Sequence, residues 1–119
     1  MKSNPYLSPE RPIVAEIKTI EVTDYPDQYA DTDYTLIDVR EADEHAAGHI
    51  TGNTNLPLSE LEARHSEIPT DKPVLLVCQK GGRSMMAAQF LQTTGNYDDI
   101  VNLDGGTGDW QSAGNEIET

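Results

Sequence analysis

Apolar positions along this chain fall into short blocks separated by polar and turn-forming residues. From Val74 to Val77 they run unbroken after Pro73, the pattern of a strand buried on both faces of a parallel sheet. Ile17 to Val22, with Ile20 and Val22 on one face, predicts a first strand, and Tyr25 to Ala30 a short helix. Tyr34 to Val39 is a second strand that Asp38 brings to its end. Glu41, Asp43 and Glu44 then mark the start of a short helix, where acids suit the helix dipole. Asn53 to Leu56 is a short third strand closed by Pro57. Ser59 is the expected N-cap of a helix over Glu60 to Ser66, with Glu62 completing a capping box. Asp71-Lys72-Pro73 turns into the fourth strand at Val74. After Ser84, Ala87, Phe90 and Leu91 recur at helical spacing, and Gly95-Asn96 ends that helix. Ile100 to Leu103 is a fifth strand, and Gly105-Gly106-Thr107-Gly108 reads as a turn.

Strand and helix patterns thus alternate. The expected fold is a three-layer α/β domain, with a mostly parallel five-stranded sheet and helices on both faces. Residues 1–12 are polar and proline-rich and read as a flexible leader, leaving residues 13–119 as one domain without internal repeats.

The fourth strand ends on Cys78, the only cysteine, at the sheet edge where open α/β folds bind ligands. Gln79, Lys80, Gly81, Gly82, Arg83 and Ser84 follow before the helix. The two glycines allow a tight turn that brings backbone N–H groups inward, and the first N–H groups of a helix lack intrahelical partners. Together they make an anion-binding concavity around the sulfur. That concavity, with Lys80 and Arg83, is expected to favour thiolate over thiol. A buried, inert cysteine would have no use for such surroundings. A nucleotide-type phosphate loop would need G-x-x-x-x-G-K-[ST], which is absent.

The run Cys78-Gln79-Lys80-Gly81-Gly82-Arg83-Ser84 resembles the active-site loop of the rhodanese family, the single-domain sulfurtransferases. Leu36-Ile37-Asp38-Val39-Arg40-Glu41, with Gly48-His49-Ile50-Thr51-Gly52-Asn53 and Asn55-Leu56-Pro57, resembles its N-terminal signature. Gly105-Gly106, Trp110 and Gly114 resemble its C-terminal one. The resemblance implies the rhodanese fold over residues 13–119, with Cys78 as the nucleophile that accepts a sulfane sulfur. It implies Gln79 to Ser84 as the substrate-binding loop, and Asp38, Arg40, His49 and Trp110 as structural support. A small sulfur-containing anion such as thiosulfate would be the donor. Cyanide, a thiol or a sulfur-relay protein would be the acceptor, and no metal or organic cofactor is implied. Where two-domain thiosulfate enzymes of the family tend to carry an arginine, this chain has Glu44, which weakens the case for thiosulfate as natural donor. Two other readings use the same thiol. One is a persulfide carrier or partner-binding module, and the other a thiolate-dependent phosphatase.

Composition bounds the remaining possibilities. The 119 residues can bury about two-thirds of their unfolded surface, enough for a core without crosslinks. One cysteine excludes an internal disulfide and suits a reducing compartment, so the expected location is cytoplasmic. A formal net charge of −13 argues against nucleic acid or an anionic membrane as partner. The acids Asp24, Asp27, Asp31 and Asp33 lack the glycine and terminal glutamate of a calcium loop. His45 and His49 are spaced like a helical zinc pair, but Gly48 lies between them and no H-E-x-x-H glutamate is present. His49 is instead expected to make a structural hydrogen bond.

Overall fold

The computed structural model describes residues 16–119; the leader expected over residues 1–12 lies outside the described residues. Strands β1 (Lys18–Glu21), β2 (Thr35–Asp38), β4 (Thr54–Asn55), β5 (Val74–Val77) and β6 (Ile100–Asp104) form one sheet in the order β1-β6-β5-β2-β4. All four pairings are parallel. The helices are α1 (Tyr25–Gln28), α2 (Ala42–Ala47), α3 (Leu58–Arg64), α4 (Gly82–Thr94) and α5 (Gly106–Ser112). No helix among the described residues is long and apolar enough to cross a membrane.

The two-residue period of β5 divides its side chains between two cores. Val74 and Leu76 pack on the face shared with Leu61 of α3 and Ala87, Ala88 and Leu91 of α4. Leu75 and Val77 pack on the other, with Tyr25 of α1, Val101 and Leu103 of β6, and the edge of Trp110 from α5. All four residues of β5 are fully buried, as the unbroken apolar run requires. Cys78 continues the alternation and joins the α4 face. The central strand therefore delivers the sulfur, at the C-terminal edge of the sheet, to the start of α4, the longest helix among the described residues.

The structure departs from the sequence-based expectation in four places. Helix α3 begins after Pro57, and Ser59 is not its cap; the Ser59 hydroxyl donates instead to the Glu41 carboxylate, 3.0 Å from each oxygen. The capping box sits on α2, where Glu41 and Glu44 satisfy each other's backbone N–H groups. Gly106-Thr107-Gly108 is not a turn but the first turn of α5. Finally, β3 (His49–Ile50) pairs antiparallel with β7 (Ile117–Glu118), so the C-terminal end folds back over the segment after α2.

Candidate active site

The Cys78 side chain sits where β5 hands over to α4 and is 2% exposed. The loop between them is sharp because Gly81 takes φ +126°, where a side chain is disfavoured. A Cβ there would also meet Asp104 Oδ1 at 2.9 Å. The turn aims the Gly81 N–H at the sulfur, 3.1 Å away. The Ser84 hydroxyl, on the first turn of α4, lies 3.4 Å from the sulfur on the buried side. Burial pushes the Cys78 thiol up. The Ser84 hydroxyl and the backbone N–H groups of Ser84, Gly81 and Lys80 outweigh it, and the net shift is downward.

The loop is held from behind by the glycine run. Gly105 N–H donates to Lys80 O at 2.9 Å, Thr107 N–H to Cys78 O at 2.8 Å and Gly108 N–H to Gln79 O at 3.0 Å. Three successive carbonyls of the cysteine loop are thus satisfied by the N-terminal end of α5. The approach is closest at Gly106, where a Cβ would lie 2.4 Å from Cys78 O.

From the other side the loop is braced by a buried cation. Asp38 and Arg40 are 0% and 4% exposed, and the Arg40 guanidinium donates to both Asp38 carboxylate oxygens. Such a pair is tolerated inside only when its remaining hydrogen-bond sites are also filled. Here Arg40 Nη1 reaches Gln79 Oε1 at 3.2 Å and Nη2 reaches Gly48 O at 2.7 Å. Arg40 therefore links the end of β2, the end of α2 and the residue after Cys78.

The open side is a shallow depression lined by Cys78, Gln79, Lys80, Gly82 and Arg83. Arg83, expected with Lys80 to favour the thiolate, is tied to Glu44 of α2 by two hydrogen bonds, of 2.7 and 3.0 Å. Lys80 is exposed and has no ion-pair partner among the described residues.

Two other candidate residues lie further out. His49 Nδ1 bonds His45 O at 2.8 Å, His45 Nε2 bonds Asn53 Oδ1 at 2.8 Å, and the two rings stack 3.7 Å apart. No three His, Cys, Asp or Glu side chains converge to hold a metal ion among the described residues. Trp110 packs on the face opposite the Cys78 cluster, 5.5 Å from the Tyr25 ring, and its Nε1–H donates to Glu116 O. These contacts join it to the core and to the C-terminal segment.

Sequence reasoning missed one pairing, one helix start and one residue. Glu44 and Arg83 stand 39 positions apart, and nothing local announces their pairing. The Gly105–Gly108 run looked like a turn because glycine is a poor helix former. Asn102 did leave a signal, as the one polar residue inside the apolar strand Ile100–Leu103. It accepts a 2.5 Å hydrogen bond from Ser84.

The family model of the rhodanese-like domain matches residues 21–113. A Bacillus subtilis protein, YqhL, described as uncharacterized, is 53% identical over 75 residues, 63% of this chain and 59% of that protein. The chain thus spans under two-thirds of the length of that relative. A sulfurtransferase of Allochromatium vinosum is 35% identical over 99 residues, covering 82% of this chain and 92% of its own. A crystal structure of a rhodanese-related protein from Thermoplasma volcanium superposes with TM-score 0.75 at 32% identity, over 85% of this chain and 97% of that one.

Proposed function

The chain belongs to the rhodanese-like domain family, and on that premise we propose that it transfers sulfane sulfur through a persulfide on Cys78. The observation that carries this reading is the sulfur's position. It lies at the end of a buried strand, takes the Gly81 N–H at 3.1 Å, and faces a shallow opening beside Lys80.

In the first half-reaction the Cys78 thiolate attacks the outer sulfur of a donor such as thiosulfate. The donor S–S bond breaks, its electron pair leaves with sulfite, and Cys78 carries the extra sulfur. In the second, cyanide or a thiolate attacks that outer sulfur and Cys78 departs as thiolate. The acceptor leaves as thiocyanate or as a persulfide. This is covalent catalysis in two steps, for which ping-pong kinetics is the signature. The backbone N–H groups from Gln79 to Ser84 stabilise the anionic sulfur, as preorganised donors do in other active sites. Lys80 draws in the anionic donor. Arg83, held by Glu44, shapes the loop, and Asp38 and Arg40 keep Gln79 in place. The shallow opening also suits a thiol presented by a sulfur-relay protein as acceptor.

The test uses the fact that Cys78 is the only thiol. Incubation with excess thiosulfate is expected to add the mass of one sulfur atom, removable by cyanide. Sulfur transfer that persists in Cys78→Ser would overturn the proposal.

A further inference from the structure

Asn102 is a polar side chain in an apolar place. It is 2% exposed in the middle of β6, paired with Leu76 of β5 and Thr19 of β1. Val101 and Leu103 beside it are fully buried. Packing alone would be served by an aliphatic residue, and a buried amide costs free energy unless its hydrogen bonds are made. One such bond is identified, from the hydroxyl of Ser84, which is itself fully buried.

That hydroxyl stands between two claimants. Its oxygen is 2.5 Å from Asn102 Oδ1 and 3.4 Å from Cys78 Sγ. A serine hydroxyl carries one proton and two lone pairs, so it donates to one neighbour at a time. At 2.5 Å between two oxygens, the proton lies on the line to Asn102. Ser84 then turns lone pairs toward the sulfur, which suits a thiol donating S–H. A thiolate needs the opposite, an O–H directed at it; the lowering that Ser84 exerts on the Cys78 thiol is realised in that orientation, at the expense of its bond to Asn102.

We propose that Asn102 is a positioning residue: it competes with Cys78 for the single Ser84 proton and so sets how much of that hydrogen bond reaches the reacting sulfur. The inference rests on Cys78 being the reacting thiol. It adds a residue that touches neither substrate nor sulfur. Asn102 holds back part of the stabilisation of the thiolate, which keeps the sulfur anion a better nucleophile than a fully hydrogen-bonded one. Within that site the remaining polar influences come from other elements. They are the Gly81 N–H, Lys80 and Arg83 on the cysteine loop and α4, Glu44 on α2 through Arg83, the Asp38–Arg40 pair at the end of β2, and Asp104 at the end of β6. Substitution at Asn102 leaves all of them in place.

The test reads the thiol directly and needs no sulfur donor. Rates of Cys78 alkylation by iodoacetamide are measured against pH for wild type, Asn102→Leu, Ser84→Ala and the double variant. Asn102→Val serves as a second apolar replacement should leucine fail to fold. Removing the competing acceptor frees the Ser84 proton for the sulfur. The titration midpoint is therefore expected to fall by about half a unit to one unit, the size of one neutral hydrogen bond. In the Ser84→Ala background the same replacement is expected to shift nothing. A midpoint that stays or rises in Asn102→Leu or Asn102→Val overturns the proposal. That sign would mean the amide donates its Nδ2–H to Ser84 and passes the hydroxyl proton on to sulfur. A fall that persists without Ser84 also overturns it, because Asn102 would then act through packing. Sulfur transfer could fail altogether without changing either outcome, so the two readings are tested separately.

Discussion

Glu44 and Arg83 meet as a two-pronged ion pair, Oε1 to Nη1 at 2.7 Å and Oε2 to Nη2 at 3.0 Å, beside the depression that opens onto Cys78. Parallel N–H···O bonds of this kind fix orientation as well as charge. The same Glu44 carboxylate also accepts the Glu41 N–H at 3.2 Å and completes the cap of α2. One side chain therefore ends a helix, pins the arginine of the cysteine loop and cancels that arginine's charge. Of the two cations of the cysteine loop, Lys80 alone has no ion-pair partner among the described residues.

The pairing has a consequence for acid stability. Arg83 is the main cause that holds the Glu44 carboxyl down, to about 2; partial burial pushes the other way, and the Glu41 N–H adds to the lowering. A carboxyl depressed on folding contributes stability that is present above its unfolded value, near 4.5, and lost as pH falls toward 2. Both partners are about one-third exposed, so solvent reduces the effect. Urea unfolding midpoints taken between pH 6 and pH 2.5 are expected to fall more steeply for wild type than for Glu44→Gln. The two proteins should converge at the acid end. Parallel profiles would mean that the pair contributes nothing to folding.

Glycine geometry yields a sharper contrast. Gly106 has φ +60° and a Cβ there would collide with Cys78 O and with the Gln79 carbonyl group, all backbone atoms that cannot step aside. Gly52 has φ +87° but open space around it. Alanine at Gly52 incurs only the left-handed penalty, about 1 kcal/mol. Alanine at Gly106 must in addition push the cysteine loop off α5 and break the Thr107-to-Cys78 bond. By melting temperature, Gly106→Ala is expected to lose at least about 8 °C more than Gly52→Ala. Sulfur transfer is expected to vanish in the first and survive in the second. Equal losses would show that the glycine run does not hold the loop.

Much of this was readable in the chain. The run Val74 to Val77 announced the central strand because burial on both faces removes any need for polar alternation. The Cys78 loop announced itself through residue types that packing does not call for. What stayed hidden depends on contacts distant in sequence. The β3–β7 ladder joins two-residue strands that carry no periodic signal. Helix α5 begins with glycines whose N–H groups are satisfied by the cysteine loop, so tertiary bonding overrides a poor propensity. The partner of Arg83 lies on another helix, so their pairing left no local signal.

Loop size is expected to separate sulfur from phosphate. Tyrosine-type phosphatases use a cysteine and an arginine with five residues between; here four residues separate Cys78 from Arg83, and Ser84 takes the arginine's place. The Arg83 guanidinium is moreover committed to Glu44. The Gly81 N–H closes directly on the sulfur, and a loop one residue shorter is expected to close around a single transferred sulfur atom and not around a phosphoryl group. Assays with aryl phosphates are expected to show no hydrolysis that depends on Cys78. Turnover abolished by Cys78→Ser would show that the loop opens further than its length allows.

Charge supplies the last prediction, because two fields of opposite sign act on an anionic donor. The chain as a whole carries a formal net charge of −13 and repels thiosulfate at a distance. Lys80, with the backbone N–H groups around the sulfur, attracts it at contact. Salt screens the first beyond about 8 Å at physiological ionic strength and the second much less. The second-order rate with thiosulfate is therefore expected to rise as salt is added from a low starting point. Lys80→Ala is expected to lower that rate by about fivefold, the effect of a charge term of about 1 kcal/mol in a wet site. It should leave the rate with an uncharged sulfane-sulfur donor nearly unchanged. Glu44→Gln removes a carboxylate and releases Arg83, so it should raise the thiosulfate rate and flatten its salt dependence. The measurement is the initial rate with both donors across a salt series for the three proteins. A wild-type thiosulfate rate that falls steadily from low salt upward would show attraction prevailing at long range and refute this account of the two fields. Equal slowing of both donors in Lys80→Ala would make Lys80 a residue that shapes the loop, with no part in choosing the anion.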